Sequence, residues 1–359
     1  MLLAIDVGSG LTKAVFKDEF WYIPSVVAPS TLSNNIFVDD TNVSERITLD
    51  NGSTYFVGQT AMANTKPNER SKTTSGNWYE NVGSLILHLA TIARAYPDGK
   101  TGVVSIVTGL PMAKYLDPKA VALMKKMLIG NHKFSTKNAT YDLNITDDSL
   151  LIVPQALGLH LRAISADLIK ESVFSTDLVG YVDFGTFTSG NCLIQFNKLA
   201  SQYSSSVSKG MYHLATKMAP YLKEQFNFEA NDISELLHHF KAGFINHRDF
   251  KGKNFKIDLH DESMSFIDET FKDVVTWINT NWKPNSMQLF ISGGGAKYLL
   301  PYLKRKYPHV KLLNPIKTTG DNNVTNGNIQ KASEAAIFDV VLGYAAYGNQ
   351  KKHGELASA

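Results

Sequence analysis

The sequence predicts an α/β protein of two domains, and three observations carry that prediction. Strand-like and helix-like stretches alternate along the chain. Two distant stretches, AIDVGSGLTKAVF (4–16) and YVDFGTFTSGNCLI (181–194), follow one plan: strand, Asp, any residue, Gly, a turn with hydroxyl residues, strand. The chain has 359 residues, long for a single core and suited to two domains of ordinary size.

Composition narrows the class. Apolar residues are 43% and charged residues 19%, which is globular rather than disordered. A net charge of +3 is too small to argue for nucleic acid or an anionic membrane as an obligatory partner. The single cysteine, Cys192, excludes a disulfide framework and fits a reducing cytosol. MLLAID lacks a signal peptide's basic start and long apolar core. The most apolar helix candidate, Val82 to Tyr96, carries His88 and Arg94 and is too short to span a bilayer. The expectation is a cytoplasmic protein.

The elements follow in order. Leu3 to Val7 and Lys13 to Phe16 read as strands around the glycine turn, and Trp21 to Val27 as a third, interrupted by Pro24. Ser30 to Arg46 reads as loop. ITLDNGSTYFVG (47–58) reads as a hairpin, since Asn51-Gly52 accepts the positive φ of a two-residue turn. A polar loop, Lys66 to Asn77, precedes the helix that ends before Pro97. VVSIVTGLP (103–111) reads as one buried strand, Lys119 to Leu128 as a helix, and Lys133 to Thr140 and Tyr141 to Thr146 as strands. LLIVPQALGLHLRAI switches from strand to helix at Pro154, a residue suited to a first helical turn.

The second half opens with strand, glycine turn and strand over 178–196. Helices are expected at Val207 to Leu222, Ile233 to Phe244 and Asp261 to Trp282. MQLFISGGG (287–295) reads as a strand entering a triple-glycine turn, followed by the helix AKYLLPYLKRKY. Val310 to Leu313 is a short strand, and Ala332 to Tyr347 a closing helix. VSIVTGLPMAKYL (104–116) parallels LFISGGGAKYL (289–299). With the two Asp-x-Gly stretches, that makes two pairings and suggests a duplication, whose halves would face each other across a ligand cleft.

The turns carry the chemistry. A dinucleotide fingerprint needs a third glycine and a following helix; here Lys13 and a strand stand in those places. A strand-turn-strand of small residues still offers backbone N–H groups to an anion. Ser9 and Thr12 add hydroxyls, Lys13 adds charge, and Asp6 is placed to hold Mg²⁺ through its water shell. An ordinary hairpin with a surface lysine is the alternative. At the second turn, amides of Gly185 and Thr186 could grip a phosphate and Asp183 could orient a water, or the aspartate could simply cap a turn. Gly293-Gly294-Gly295 would let a ligand approach backbone at a helix start, or would only link strand to helix.

Taken together and in this order, the turns resemble the nucleotide-binding set of the superfamily of actins, heat-shock chaperone ATPases and sugar kinases. Asp6 through Ala14 is similar to the first phosphate loop of actins. IPSVVAP (23–29), Tyr-Phe-Val-Gly-x-x-Ala (55–61), Gly109-Leu110-Pro111, Val153-Pro154-Gln155, the helix opening at Gly210 and Val341-Leu342-Gly343-Tyr344 resemble the bacterial and archaeal actin-like ATPases of the ParM/StbA type. One departure stands out: Thr186 replaces the second glycine of the second phosphate loop, and Gly190 stands near its usual aspartate.

The resemblance implies a two-domain actin-like (duplicated ribonuclease H-like) fold with nucleotide in the interdomain cleft. Residues 1–154 plus 333–359 would form domain I, with a small insertion at about 30–78. Residues 155–332 would form domain II, with a helical insertion at about 211–286. It implies ATP or ADP with Mg²⁺ as cofactors and Asp6 as the metal organiser. Gly8, Ser9, Gly10, Leu11, Thr12 and Lys13, with Gly185, Thr186, Phe187 and Thr188, would bind phosphates. Lys209, Gly210, Gly293, Gly294, Gly295 and Lys297 would surround the adenosine. Gln155 would orient the attacking water and Asp183 would assist; since Gln155 is no strong base, hydrolysis should be slow. The implied activity is an ATPase coupled to filament assembly, with other protomers as partners. Its task would be plasmid or other DNA segregation through a DNA-bound adaptor protein, without strong direct nucleic-acid binding and without a membrane. The alternatives are a non-polymerising small-molecule kinase or chaperone-type ATPase, and a scaffold that binds nucleotide without turnover.

Three features invite other readings. His238-His239 with His247 match no strong metal-ligand spacing and read as surface or core residues. Lys304-Arg305-Lys306 reads as a solvated helix C-terminus. Cys192 reads as a small core residue.

Overall fold

The computed structural model describes residues 1–17, 19–32, 43–71, 78–166, 169, 178–196, 198–230, 232–248, 252–313 and 336–352. The chain divides into two units, Met1–Ile169 with Phe338–Ala359, and Lys170–Ile337. The sequence places the first break at 154/155. The helix Leu157–Ser165 instead belongs with the first unit, because it packs on the closing helix Asp339–Lys352. That contact is backbone-close: a Cβ on Gly343 would strike the Gly158 carbonyl, and Arg162 Nε lies 3.9 Å from the buried Asp339 carboxylate.

The first unit is built on a five-stranded sheet in the order Leu150–Pro154, Ser105–Leu110, Leu2–Val7, Leu11–Phe16, Glu19–Pro24. The first three run parallel; the last three form an antiparallel meander. Leu3, Ile5 and Val7 alternate into the core, while Asp6 lies at the C-terminal end of its strand. A six-stranded sheet takes in the hairpin Arg46–Leu49/Thr54–Val57, whose turn holds Gly52 at φ +81°. The stretch 103–111, read as one strand, is two. Lys100–Val103 belongs to the six-stranded sheet and Ser105–Leu110 to the central one, with buried Val104 at the crossing. Val103 is exposed at the end of the first strand, but it is apolar and adjoins the buried run, so the residue pattern does not mark the break.

The helix Val82–Ala95 starts where the Asn81 side chain accepts the Ser84 N–H at 3.0 Å and stops before Pro97. It buries Ile86, Leu87, Leu89 and Ile92, and with them His88. The His88 ring is fully enclosed, its Nδ1 2.8 Å from the Ser84 carbonyl and its Nε2 3.2 Å from Thr108 Oγ1. Burial pushes its pKa from 6.5 down to about 4. The neutral ring is therefore the folded form. Its contribution is complete above the unfolded value and is lost as pH falls from 6.5 toward 4. Between about pH 7.5 and about pH 5 the first unit should lose roughly 2 kcal/mol through this group. Urea unfolding of wild type and His88→Gln at the two pH values checks this; an equal pH loss in both would remove His88 from the account.

The second unit repeats the plan. Its sheet runs Lys198–Leu199, Ser189–Gln195, Leu178–Phe184, Gln288–Ser292, Lys311–Leu312, again an antiparallel hairpin joined to parallel strands. Cys192 is buried in this sheet and its burial raises the thiol pKa. Helices Met211–Phe226, Ile233–Ala242, Leu259–Asn281 and Ala296–Lys306 enclose a core with Phe240, Phe271 and Tyr298. Two expected helices change bounds. The one expected from Val207 starts at Met211, because Ser205–Val207 pairs as a strand and Gly210 is extended. The one expected to reach Phe244 stops at Ala242, where Gly243 turns at φ +88° into a two-stranded ribbon, Phe244–Arg248 with Asn254–Asp258. The helix Asp339–Lys352 takes up the later part of the expected closing helix; positions 332–335, the chain end 353–359, and 33–42 and 72–77 of the expected insertion lie outside the described residues. Among the described residues no helix is long and apolar enough to cross a membrane.

Candidate functional site

In the first unit the opening hairpin presents a carboxylate with two donors on it. Asp6, only 2% exposed, receives Lys13 Nζ at 2.7 Å on one oxygen and Gln155 Nε2 at 2.9 Å on the other. The hairpin register places Asp6 opposite Lys13, so both side chains leave the same face of the sheet. Gln155 arrives from the parallel strand Leu150–Pro154, its N–H bonded to the Leu110 carbonyl at 2.8 Å. Residues 149 positions apart thus converge on one carboxylate.

The turn itself is held from behind by Ser25. Its hydroxyl donates to the Gly8 carbonyl and its N–H to the Gly10 carbonyl at 3.0 Å. Because a peptide is planar and trans, a carbonyl fixed on Ser25 turns the next amide, that of Ser9 or Leu11, to the opposite side. Thr12 does not face that side. It is buried, its Oγ1 2.9 Å from Ser25 Oγ, and so supports the turn from within. At Gly8 a Cβ would lie 2.8 Å from the Leu11 carbonyl and 3.0 Å from Lys13 Nζ, so only glycine leaves room for the turn and the lysine together. Ser25 is the residue that sequence reasoning passed over, although IPSVVAP contains it.

In the second unit three stretches separated in sequence meet. The Gly185 carbonyl accepts the Met211 N–H at 3.2 Å, and the Thr186 carbonyl accepts the Tyr212 N–H at 2.8 Å. The loop thereby caps the first turn of helix Met211–Phe226, satisfying donors that have no partner within a helix. The same planarity argument turns the amides of Thr186 and Phe187 away from the helix. A Cβ on Gly210 would lie 2.6 Å from the Thr186 carbonyl and 2.7 Å from that of Gly185. Phe187 stacks on Tyr212 at 4.5 Å between centroids. Gly185 closes the turn through its N–H on the Thr188 carbonyl, 3.0 Å. Thr186, the departure noted in the sequence, is therefore accommodated: the loop acts through its backbone, and its carbonyls are already committed.

The triple glycine completes the group. Gly295 N–H donates to the Phe184 carbonyl at 3.0 Å, and Gly293 adopts φ +95° with a Cβ position 2.6 Å from Asp183 Oδ1. Lys209 and Lys297 point to structural partners. Lys209 Nζ lies 3.3 Å from Asp273, and Lys297 Nζ donates at 3.1 Å to the Lys241 carbonyl at a helix C-terminus. No group of three or more His, Cys, Asp or Glu able to hold a metal occurs among the described residues. His239 and His247 instead pack edge-on to Phe228.

Residues 4–158 match the family described as actin-like proteins, N-terminal domain. The chain as a whole has the two-domain actin-like fold. Its fold agrees with solved structures over nearly its whole length. An archaeal actin homologue, Ta0583, aligns with a TM-score of 0.75 at 16% identity, covering 97% of this chain and 99% of that one. A ParM of Clostridium botulinum, solved in a 15-stranded filament, aligns at 0.71 and 20% identity, with 97% and 99% covered. The apo form of psk41 ParM aligns at 0.65 and 20% identity, with 99% and 98% covered. At these identities the likeness is one of fold. No curated protein matches the sequence. The two-domain actin-like fold accounts for the repeated sheet plan, in which equivalent hairpin turns, Gly8–Lys13 and Gly185–Thr188, occur one in each unit.

Proposed function

We propose that this protein binds ATP with Mg²⁺, hydrolyses it slowly and assembles into cytoplasmic filaments, moving DNA through an adaptor protein. The observation that carries the reading is the Asp6 carboxylate held between Lys13 and Gln155 beneath a turn whose amides face outward. Supporting it, Ta0583 has been solved in complex with ADP, and the C. botulinum ParM as a filament. The donor set fits the cofactor. A single buried carboxylate suits Mg²⁺, which would keep most of its own hydration shell. Asp6 would hold the metal, whose charge offsets that of phosphate oxygens. The Ser9–Lys13 and Thr186–Thr188 segments are the phosphate-binding elements of their units, and Gly210 and Gly293 to Gly295 the surfaces for adenosine.

Gln155 has an amide that can orient a water but not deprotonate it, so positioning sets the rate. Asp183, at the end of the equivalent strand, assists that water. In light scattering, sedimentation and phosphate release with ATP and Mg²⁺, wild type should form pelletable polymer. Gln155→Ala and Asp183→Ala should release phosphate about 10- to 100-fold more slowly and form longer-lived polymer. Absence of polymer would overturn the filament reading. Polymer without phosphate release would favour a nucleotide-dependent scaffold, which the altered second loop singles out as the second reading.

A further inference from the structure

We infer, resting on the nucleotide reading proposed above, that Tyr212 is a positioning residue: it fixes the backbone N–H groups of Thr186 and Phe187 as a preset pair of donors for a nucleotide phosphate. Tyr212 grips the second turn at two adjacent points. Its N–H donates to the Thr186 carbonyl at 2.8 Å, and its ring stacks on Phe187 at 4.5 Å between centroids, the planes 24° apart. The two contacts hold opposite ends of one peptide unit, the one joining Thr186 to Phe187. A single hydrogen bond leaves a peptide free to rock about the bond. With the following side chain held as well, the plane is set, and the Phe187 N–H points opposite to the bonded carbonyl. The preceding peptide is set by the Gly185 carbonyl, which accepts the Met211 N–H at 3.2 Å and so turns the Thr186 N–H the same way.

The donors left over define the ligand. The Gly185 N–H is spent on the Thr188 carbonyl at 3.0 Å. Among the described residues, the N–H groups of Thr186 and Phe187 have no partner within the protein, and both residues are half-buried. Backbone donors in such a place require an acceptor, and successive N–H groups turned to one side make a concavity for an anion. The donor pair is therefore one residue further along than the sequence suggests: Thr186 with Phe187, in place of Gly185 with Thr186.

The clamp itself is firmly seated. His213 Nδ1 accepts the Gly210 N–H at 3.2 Å, which closes the helix start, and the His213 ring meets the Tyr212 ring edge-on at 5.9 Å. Where a glycine would let the loop backbone turn over, Thr186 does not, so the conformation selected by Tyr212 persists. The Tyr212 hydroxyl takes no part: among the described residues it has no hydrogen-bond partner. The ring alone acts, and phenylalanine should replace it.

The test combines titration of the full chain with a fluorescent ATP analogue and Mg²⁺, competition by ATP and by adenosine, and phosphate release across ATP concentrations. Loss of one aromatic stack corresponds to roughly a two- to tenfold change. Tyr212→Ala should weaken ATP by about fivefold and raise KM alike, with kcat within about twofold, because a slow chemical step makes KM report binding. Adenosine, which carries no phosphate, should compete as it does with wild type. Tyr212→Phe should bind ATP as wild type. Phe187→Ala should match Tyr212→Ala, and the double variant should be no weaker than either single, since all three lose the same stack. ATP binding unchanged in Tyr212→Ala, equal weakening of ATP and adenosine, a Tyr212→Phe variant as weak as Tyr212→Ala, or additive losses in the double variant would each overturn the role of Tyr212 while nucleotide binding stands. Wild type that binds no ATP would overturn both.

Discussion

Gly293→Ala is expected to lose about 3 kcal/mol of stability and to abolish nucleotide binding, whereas Gly294→Ala, its immediate neighbour, should be close to neutral. The three glycines look equivalent in sequence but meet different surroundings. At Gly293 the backbone is left-handed, φ +95°, which penalises any side chain. A Cβ there would also lie 2.6 Å from both Asp183 Oδ1 and the Phe184 carbonyl, inside contact distance of a strand that cannot retreat. At Gly295 a Cβ would strike the Phe184 ring and come within 2.6 Å of Met211, costing packing at the point where loop, helix and turn meet. At Gly294 the nearest atom is Ile337 Cγ2 at 3.4 Å, an ordinary contact with a flexible end. Thermal melts should show a drop of roughly 10 °C for Gly293→Ala, a smaller one for Gly295→Ala and less than about 2 °C for Gly294→Ala. Titration with a fluorescent ATP analogue should rank them the same way. Equal losses at all three positions would mean that the close approach to Asp183 is not what requires glycine.

How the fold was legible follows from which interactions are local. The hairpin at Asn51-Gly52 was readable because its turn geometry is chemically encoded at two adjacent residues. The strand-turn-strand plan was readable twice, since alternation and a small-residue turn recur in both halves. Sheet membership is not encoded that way, so the crossing at Val104 was invisible: the exposed but apolar Val103 runs straight into the buried residues that follow. The ribbon 244–258 escaped for a different reason. Its first strand follows a helix with only Gly243 between them, and residues 233–244 can be read as one amphipathic stretch.

The site divides along the same line. Asp6, Lys13 and the glycines stood out because a strand-turn-strand of small residues with an acid and a lysine is the pattern that the proposed phosphate turn requires. Gln155 was reached through resemblance alone, and its bond to Asp6 depends on a parallel strand pairing that no local pattern fixes. Ser25 and Gly210 act at a distance, one holding the first turn by its carbonyls and the other giving the second loop room against a helix. Ser25 reads in sequence as an unremarkable serine, and Gly210 stood out only through the resemblance. Lys209 and Lys297 show the converse: cations near the glycine-rich turns whose ammonium groups are engaged with Asp273 and with the Lys241 carbonyl.

Asp6→Asn should cost about 2 kcal/mol and reduce ATP hydrolysis by at least about 100-fold, and the two losses should be separable. Asp6 is buried while the Lys13 side chain keeps 17% of its exposure, so the pair is neither a surface bridge nor a fully interior one. Removing one member of a buried pair strands the other, a cost of about 3–5 kcal/mol when desolvation is complete and less here because Lys13 reaches water. Asparagine also brings its own N–H₂ against Lys13 or Gln155, where two donors already point. Lys13→Met in the Asp6→Asn background removes the stranded cation. The double variant should therefore recover most of the stability in urea unfolding, giving a coupling energy of about 1–2 kcal/mol in the cycle. It should recover none of the phosphate release, because the carboxylate assigned to the metal and the cation assigned to phosphate are both gone. A double variant that regained activity together with stability would reduce Asp6 to a structural partner of Lys13. A double variant stable but inactive, with Mg²⁺ no longer raising its affinity for ATP, is the outcome that a metal-organising carboxylate requires.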